Sequence, residues 1–186
     1  ASSPSFTRRN ISTNVDNAES AYAIDIDHDG DIDVVTAGRS SGVDLYKNNG
    51  SQSFTAQSID TDYANSIYAL DVDADGDNDI IAANSNDNKV VWYENNYPTN
   101  SFTGRVITSS ADGVQDIFAI DLDRDGDIDI ISAYNFLEWY ENDGASDPSF
   151  TTRTLFTAGS GDANGTFSLF AIDMDKDGDV DLLTAS

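Results

Sequence analysis

One nine-residue pattern, D-x-D-x-D-G-D-x-D, occurs four times without a gap: DIDHDGDID (25–33), DVDADGDND (71–79), DLDRDGDID (121–129) and DMDKDGDVD (173–181). Carboxylates at alternate positions can converge on one ion as the backbone wraps around it, and glycine at the sixth position permits the tight turn. Twenty of the 34 acidic residues lie in these loops, and the net charge is −25. Five carboxylates in nine residues repel one another unless a cation sits among them. Calcium, with about six to eight oxygen ligands, suits such a loop better than magnesium, which keeps its waters. The expected side-chain ligands of the first loop are Asp25, Asp27, Asp29 and Asp33, with the backbone carbonyl of Asp31. The same roles fall to Asp71, Asp73, Asp75 and Asp79 with Asp77, and to Asp121, Asp123, Asp125 and Asp129 with Asp127. In the last loop they fall to Asp173, Asp175, Asp177 and Asp181 with Asp179. Four Ca²⁺ ions, one per loop, would move the formal charge from −25 to −17.

The loops belong to a longer repeat. Phe6, Phe54, Phe102 and Phe150 are spaced by 48 residues and open the segments FTRRNI, FTAQSI, FTGRVI and FTTRTL. A polar stretch follows, then AYAID, IYALD, IFAID or LFAID, the loop, and VVTA, IIAA, IISA or LLTA. Three repeats continue into VDLYKNN, VVWYENN and LEWYEND; the fourth stops at Ser186 before any equivalent. These short runs of β-branched and aromatic residues between Gly, Asn, Asp and Ser clusters read as strands. One four-stranded antiparallel sheet per 40–50 residues is the signature of a β-propeller blade. The expected fold is all-β: one repeat domain over 1–186, with units at about 1–49, 50–97, 98–144 and 145–186, the last incomplete. Such a chain is expected to be part of a larger propeller or one completed by another copy.

Ala23, Ala69, Ala119 and Ala171 share one position of the strand before the loop, where small side chains are needed if that strand lies innermost. Leu45, Trp92 and Trp139, followed by Tyr46, Tyr93 and Tyr140, are expected to fill the space between blades, a ligand-stacking platform being the alternative.

Other calcium loops are excluded by particular residues. An EF-hand needs Glu at its twelfth position, where this chain has Thr36, Ala82, Ser132 and Thr184. No cysteine is present, which removes the cysteine-bearing thrombospondin type, any disulfide framework and any thiolate site. The strand–loop–strand unit with its WYEN and FT segments resembles FG-GAP/VCBS repeats, the calcium-binding repeats of integrin α-subunit propellers and of many secreted bacterial and fungal proteins. The resemblance covers essentially the whole chain. It implies that the loop joins the innermost strand of a blade to the second, and that loop positions one, three, five, seven and nine hold calcium. Such propellers usually have about seven blades.

The expected function is a non-catalytic, secreted or surface module for adhesion or lectin-like binding of a glycan or an extracellular protein. A structural, self-associating scaffold and a non-catalytic piece of a propeller lyase or hydrolase are the alternatives. The acidic surface disfavours nucleic acid and anionic membranes as partners, and no apolar run approaches a membrane span. The lone His28 stands at a loop tip where the other repeats have Ala74, Arg124 and Lys176, and it is expected to face solvent without a ligand role. Three Asn-x-Ser/Thr triplets, at Asn10, Asn49 and Asn164, are at chance frequency for this composition. The polar stretches Asp60–Ser66, Ser109–Asp116 and Ala158–Ser168 differ most between repeats and are the expected binding face.

Overall fold

The computed structural model describes residues 3, 5, 7–13, 15–157, 165 and 168–185. They form fourteen strands and no helix. Sheet I contains β1 (Ala18–Ile24), β2 (Asp33–Gly38), β3 (Gly42–Asn48) and β4 (Phe54–Asp60) in that order. Sheet II repeats it with β5 (Ser66–Leu70), β6 (Asp79–Asn84), β7 (Lys89–Asn96) and β8 (Ser101–Thr108). Sheet III contains β9 (Asp116–Ile120), β10 (Asp129–Ala133), β11 (Phe136–Asn142) and β12 (Phe150–Thr157). Sheet IV is the pair β13 (Ser168–Ile172) and β14 (Asp181–Ala185). All pairings are antiparallel between neighbours in sequence, and the sheets stand as successive propeller blades that close no ring among the described residues.

Each four-stranded sheet draws on two sequence repeats. The FT strands β4, β8 and β12 pair with the strand before them, in register Asn48↔Phe54, Asn95↔Phe102 and Asn142↔Phe150. The first FT segment departs from expectation: Phe6 lies outside the described residues, and residues 7–11 form no strand. An edge strand of this kind depends on a WYEN-type partner, which the other three have.

The first strands β1, β5, β9 and β13 lie side by side. Each sheet has two unlike faces, because alternate residues point to opposite sides. Toward the next sheet it presents large residues: Tyr22, Val35 and Leu45 in sheet I; Tyr68, Ile81 and Trp92 in sheet II. Toward the preceding sheet it presents smaller first-strand residues, with Ala69, Ala119 and Ala171 at 1%, 5% and 3% exposure. Ala23, in sheet I, is exposed. The seams between sheets are the core, and Trp92, Tyr93 and Tyr140 are buried in them, while Tyr46 is buried on the other face of sheet I.

The first strands also build an aromatic ladder at the position before each alanine. Tyr22 and Tyr68 have ring centroids 4.8 Å apart, Tyr68 and Phe118 5.2 Å, and Phe118 and Phe170 5.2 Å. At sheet IV the ladder ends on an open face, where Phe170, Ile172, Met174 and Leu183 are exposed. Their counterparts Ile26 and Val72 for Met174, and Val35, Ile81 and Ile131 for Leu183, are buried by a following sheet.

Candidate metal centre

Each loop joins a first strand to a second, and the hydrogen bonds that shape it recur almost unchanged. The turn begins with a residue of left-handed backbone at position four: His28, Ala74, Arg124 and Lys176 have φ of 58°, 60°, 67° and 64°. None is glycine, and that region disfavours residues carrying a Cβ. Glycine follows at position six with φ from 91° to 105°, and its N–H donates to Oδ2 of the first aspartate at 3.0–3.2 Å in all four loops.

Position nine ties the loop to the sheet. Asp79 Oδ2 accepts the N–H of Val72 at 3.2 Å, and its Oδ1 accepts that of Asn95 at 2.8 Å. Asp33 does the same with Ile26 and Asn48, and Asp129 with Leu122 and Asn142. Asp33, Asp79 and Asp129 are 0%, 1% and 1% exposed. Burial raises all three pKa values against the pull of these N–H donors, Asp79 to about 7. The indole N–H of Trp92 is near enough to Asp79 to oppose that rise without reaching hydrogen-bond geometry. Burial, with neighbouring carboxylates, also raises Asp73 and Asp123.

Carboxylate oxygens of three aspartates come within 4.8 Å of one another in every loop. The groups are Asp71, Asp73 and Asp79; Asp121, Asp123 and Asp129; Asp173, Asp175 and Asp181; and, in the first loop, Asp25, Asp27 and Asp29. Thus positions one, three and nine meet in three loops, and one, three and five in the first. Asp75, Asp125 and Asp177, and Asp33 in the first loop, lie outside these groups.

The position-seven side chains turn away from the cluster. Asp31 and Asp127 fold against the turn that follows the third strand, where a Cβ on Gly50 or Gly144 would come within 2.5 or 2.0 Å of their oxygens. The second repeat has Tyr97 in place of that glycine, and there Asp77 meets His28 of the preceding loop at 3.3 Å. His28 also meets Tyr97 edge-on at 5.5 Å. So His28 joins two loops, a role that its variable position in the repeat did not signal. Asp179 lies 4.0 Å from Arg124 in the corresponding way.

The fit to a hard cation rests on one repeated feature. Oδ1 of the first aspartate, in Asp25, Asp71, Asp121 and Asp173, is buried without a hydrogen-bond partner. A buried carboxylate oxygen left unpaired is costly, and an all-oxygen donor set matches calcium chemistry. Asparagines lock the loops across the seams. Asn95 Nδ2 donates to the carbonyl of Ile26 at 3.1 Å, and Asn142 Nδ2 to that of Val72 at 3.2 Å.

No curated protein matches the chain. The family model described as FG-GAP-like repeat matches twice, at residues 25–82 and 71–132, each match running from one loop through the next. The fourth loop, outside those spans, keeps the same pattern and the same turn bonds. With more than half of its length matched, the chain belongs to the family of FG-GAP-like repeats.

Proposed function

We propose that this chain is a calcium-loaded module, outside the cell or on its surface, that binds a glycan or an extracellular protein and catalyses nothing. The observation that carries the calcium reading is the unpaired, buried Oδ1 of the first aspartate in all four loops. Sites of this type suit the millimolar calcium outside cells. The aspartates recur in one register, whereas a catalytic site needs an asymmetric set of groups, and His28 is engaged with Asp77. The charge of −25 argues against nucleic acid. No helix among the described residues is long and apolar enough to cross a membrane.

The stretches between sheets contribute to packing as well as surface. Ala64, Asn65, Ala111 and Val114 are buried, and Asn65 donates to the carbonyls of Val114 and Gln115. Most of Ala158–Ser168 falls outside the described residues. At the starts of the first strands these stretches border a polar depression of about 270 Å³ whose lining includes Glu19, Ser66, Gln115 and Asp116. Its convergent donors and acceptors suit the hydroxyls of a sugar.

A glycan array probed in millimolar calcium, and again in chelator, tests the reading. Calcium-dependent binding to a restricted glycan set is the expected result. Equal binding in chelator would overturn the calcium dependence. A folded protein that binds no glycan, with a mass rising with concentration, would favour the self-associating scaffold, for which the exposed Phe170, Ile172, Met174 and Leu183 supply the surface.

A further inference from the structure

The four loops share a pattern but not their neighbours. In sheet II the third strand places Glu94 two residues after Trp92, and Arg105 of the fourth strand pairs across from that tryptophan. Arg105 Nε donates to Glu94 at 2.7 Å, and its guanidinium lies 5.2 Å from the Trp92 ring centroid. Sheet III repeats the arrangement: Arg153 Nε donates to Glu141 at 2.6 Å and the guanidinium lies 5.3 Å from the Trp139 ring centroid. In sheet I the three positions hold Leu45, Lys47 and Gln57. An ammonium therefore stands where the other two sheets have a carboxylate.

Lys47 Nζ lies 3.8 Å from Asp27 Oδ2, and the first loop differs from the others at that aspartate. Asp73, Asp123 and Asp175, at position three, each accept the backbone N–H two residues on, at 3.0–3.3 Å. Asp27 accepts no such bond; its Oδ1 is buried and unpaired. The converging carboxylates also change, from positions one, three and nine to one, three and five.

We propose that Lys47 is a resident counter-ion of the first loop, which makes that loop a weaker calcium site than the second and third. The inference rests on the calcium reading of the loops. An ion entering the first loop has to compete with the ammonium for Asp27 and is repelled by it, whereas beside the second and third loops that position holds a carboxylate, Glu94 or Glu141, whose charge is balanced by Arg105 or Arg153. Loops of this kind tune affinity through the charge of their surroundings and ligands.

The test is a calorimetric calcium titration of the full chain, with bound ions counted by native mass spectrometry. The wild-type protein is expected to show a site about tenfold weaker than the tightest ones, the order of change that ligand charge produces in such loops. Lys47→Met, which keeps the apolar stem, should tighten that site several-fold, and Lys47→Glu by about tenfold or more. Lys89→Glu makes the same change in net charge at a residue paired with Asp87, and should leave the titration unchanged. If Lys47→Glu fails to fold by circular dichroism, Lys47→Met decides. Titrations unchanged in a folded Lys47 variant would overturn the role of Lys47, as would equal tightening by Lys89→Glu. A wild-type protein that takes up no calcium would instead overturn the reading of the loops themselves.

Discussion

The aspartate at position nine serves two partners with opposite demands. Its oxygens accept two backbone N–H groups that hold the loop on the sheet, as Asp79 does with Val72 and Asn95. Burial meanwhile disfavours its charge and lifts its pKa from 3.8 to about 7. A carboxyl whose folded pKa is raised contributes most to stability below the unfolded value of 3.8 and loses that contribution as pH rises through about 7. In chelator, therefore, the protein should gain on the order of 2 kcal/mol from Asp79 as pH falls from about 7 to about 5. Bound calcium favours the ionised form, so in excess calcium acidification over the same range should destabilise. Melting curves at both pH values, with and without calcium, check this crossing, and Asp79→Asn should flatten the chelator arm. Spacing alone picked out the first and third aspartates, which meet in all four loops, whereas the fifth joins them in the first loop and the ninth in the other three. Their division of labour could not be read from spacing, since it depends on which oxygens the backbone reaches after folding. The left-handed backbone at position four was hidden for another reason: His28, Ala74, Arg124 and Lys176 share no side-chain feature that signals it.

Strands announced themselves through β-branched runs such as Ile80–Ile81 and Ile130–Ile131, and three of the four alanines at the shared position, Ala69, Ala119 and Ala171, are buried. Ala119 on β9 is 5% exposed in the seam with sheet II, whereas Ala23, the same position on β1, is exposed. Overpacking a filled seam costs about 1–3 kcal/mol. Ala119→Leu should lower stability by that amount in chemical denaturation, and Ala23→Leu should stay within about 0.5 kcal/mol of wild type. A similar loss in both would show that the position matters for strand propensity and not for packing between sheets. The aromatic ladder was visible in principle, one residue before each alanine, in Tyr22, Tyr68, Phe118 and Phe170. Its meaning needed the side-by-side arrangement of first strands, which no strand-length pattern contains. The same holds for the FT segments: each reads as a strand, but its assignment to the preceding sheet comes from pairing with Asn48, Asn95 or Asn142.

For the molecule as a whole, stability and charge are one problem. With a net charge of −25 and loops that concentrate it, calcium bound as proposed would both neutralise repulsion and add binding energy to the folded state. An ion present at 100 times its dissociation constant contributes about 2.7 kcal/mol per site, so four sites contribute roughly 10 kcal/mol. Excess chelator should lower the melting temperature by more than about 10 °C, and an unchanged melting curve would refute calcium as a stabilising ligand. The unlike faces of each sheet have a further consequence, which concerns symmetry. Each seam joins the face that carries Tyr68 and Trp92 to the unlike face that carries Ala119, Ile130 and Tyr140, so the seam has a direction. Two identical faces brought together by a two-fold axis would not reproduce that pairing of unlike faces. Association that re-forms such a seam is therefore heterologous, and heterologous contacts build closed rings or open filaments, not isologous pairs.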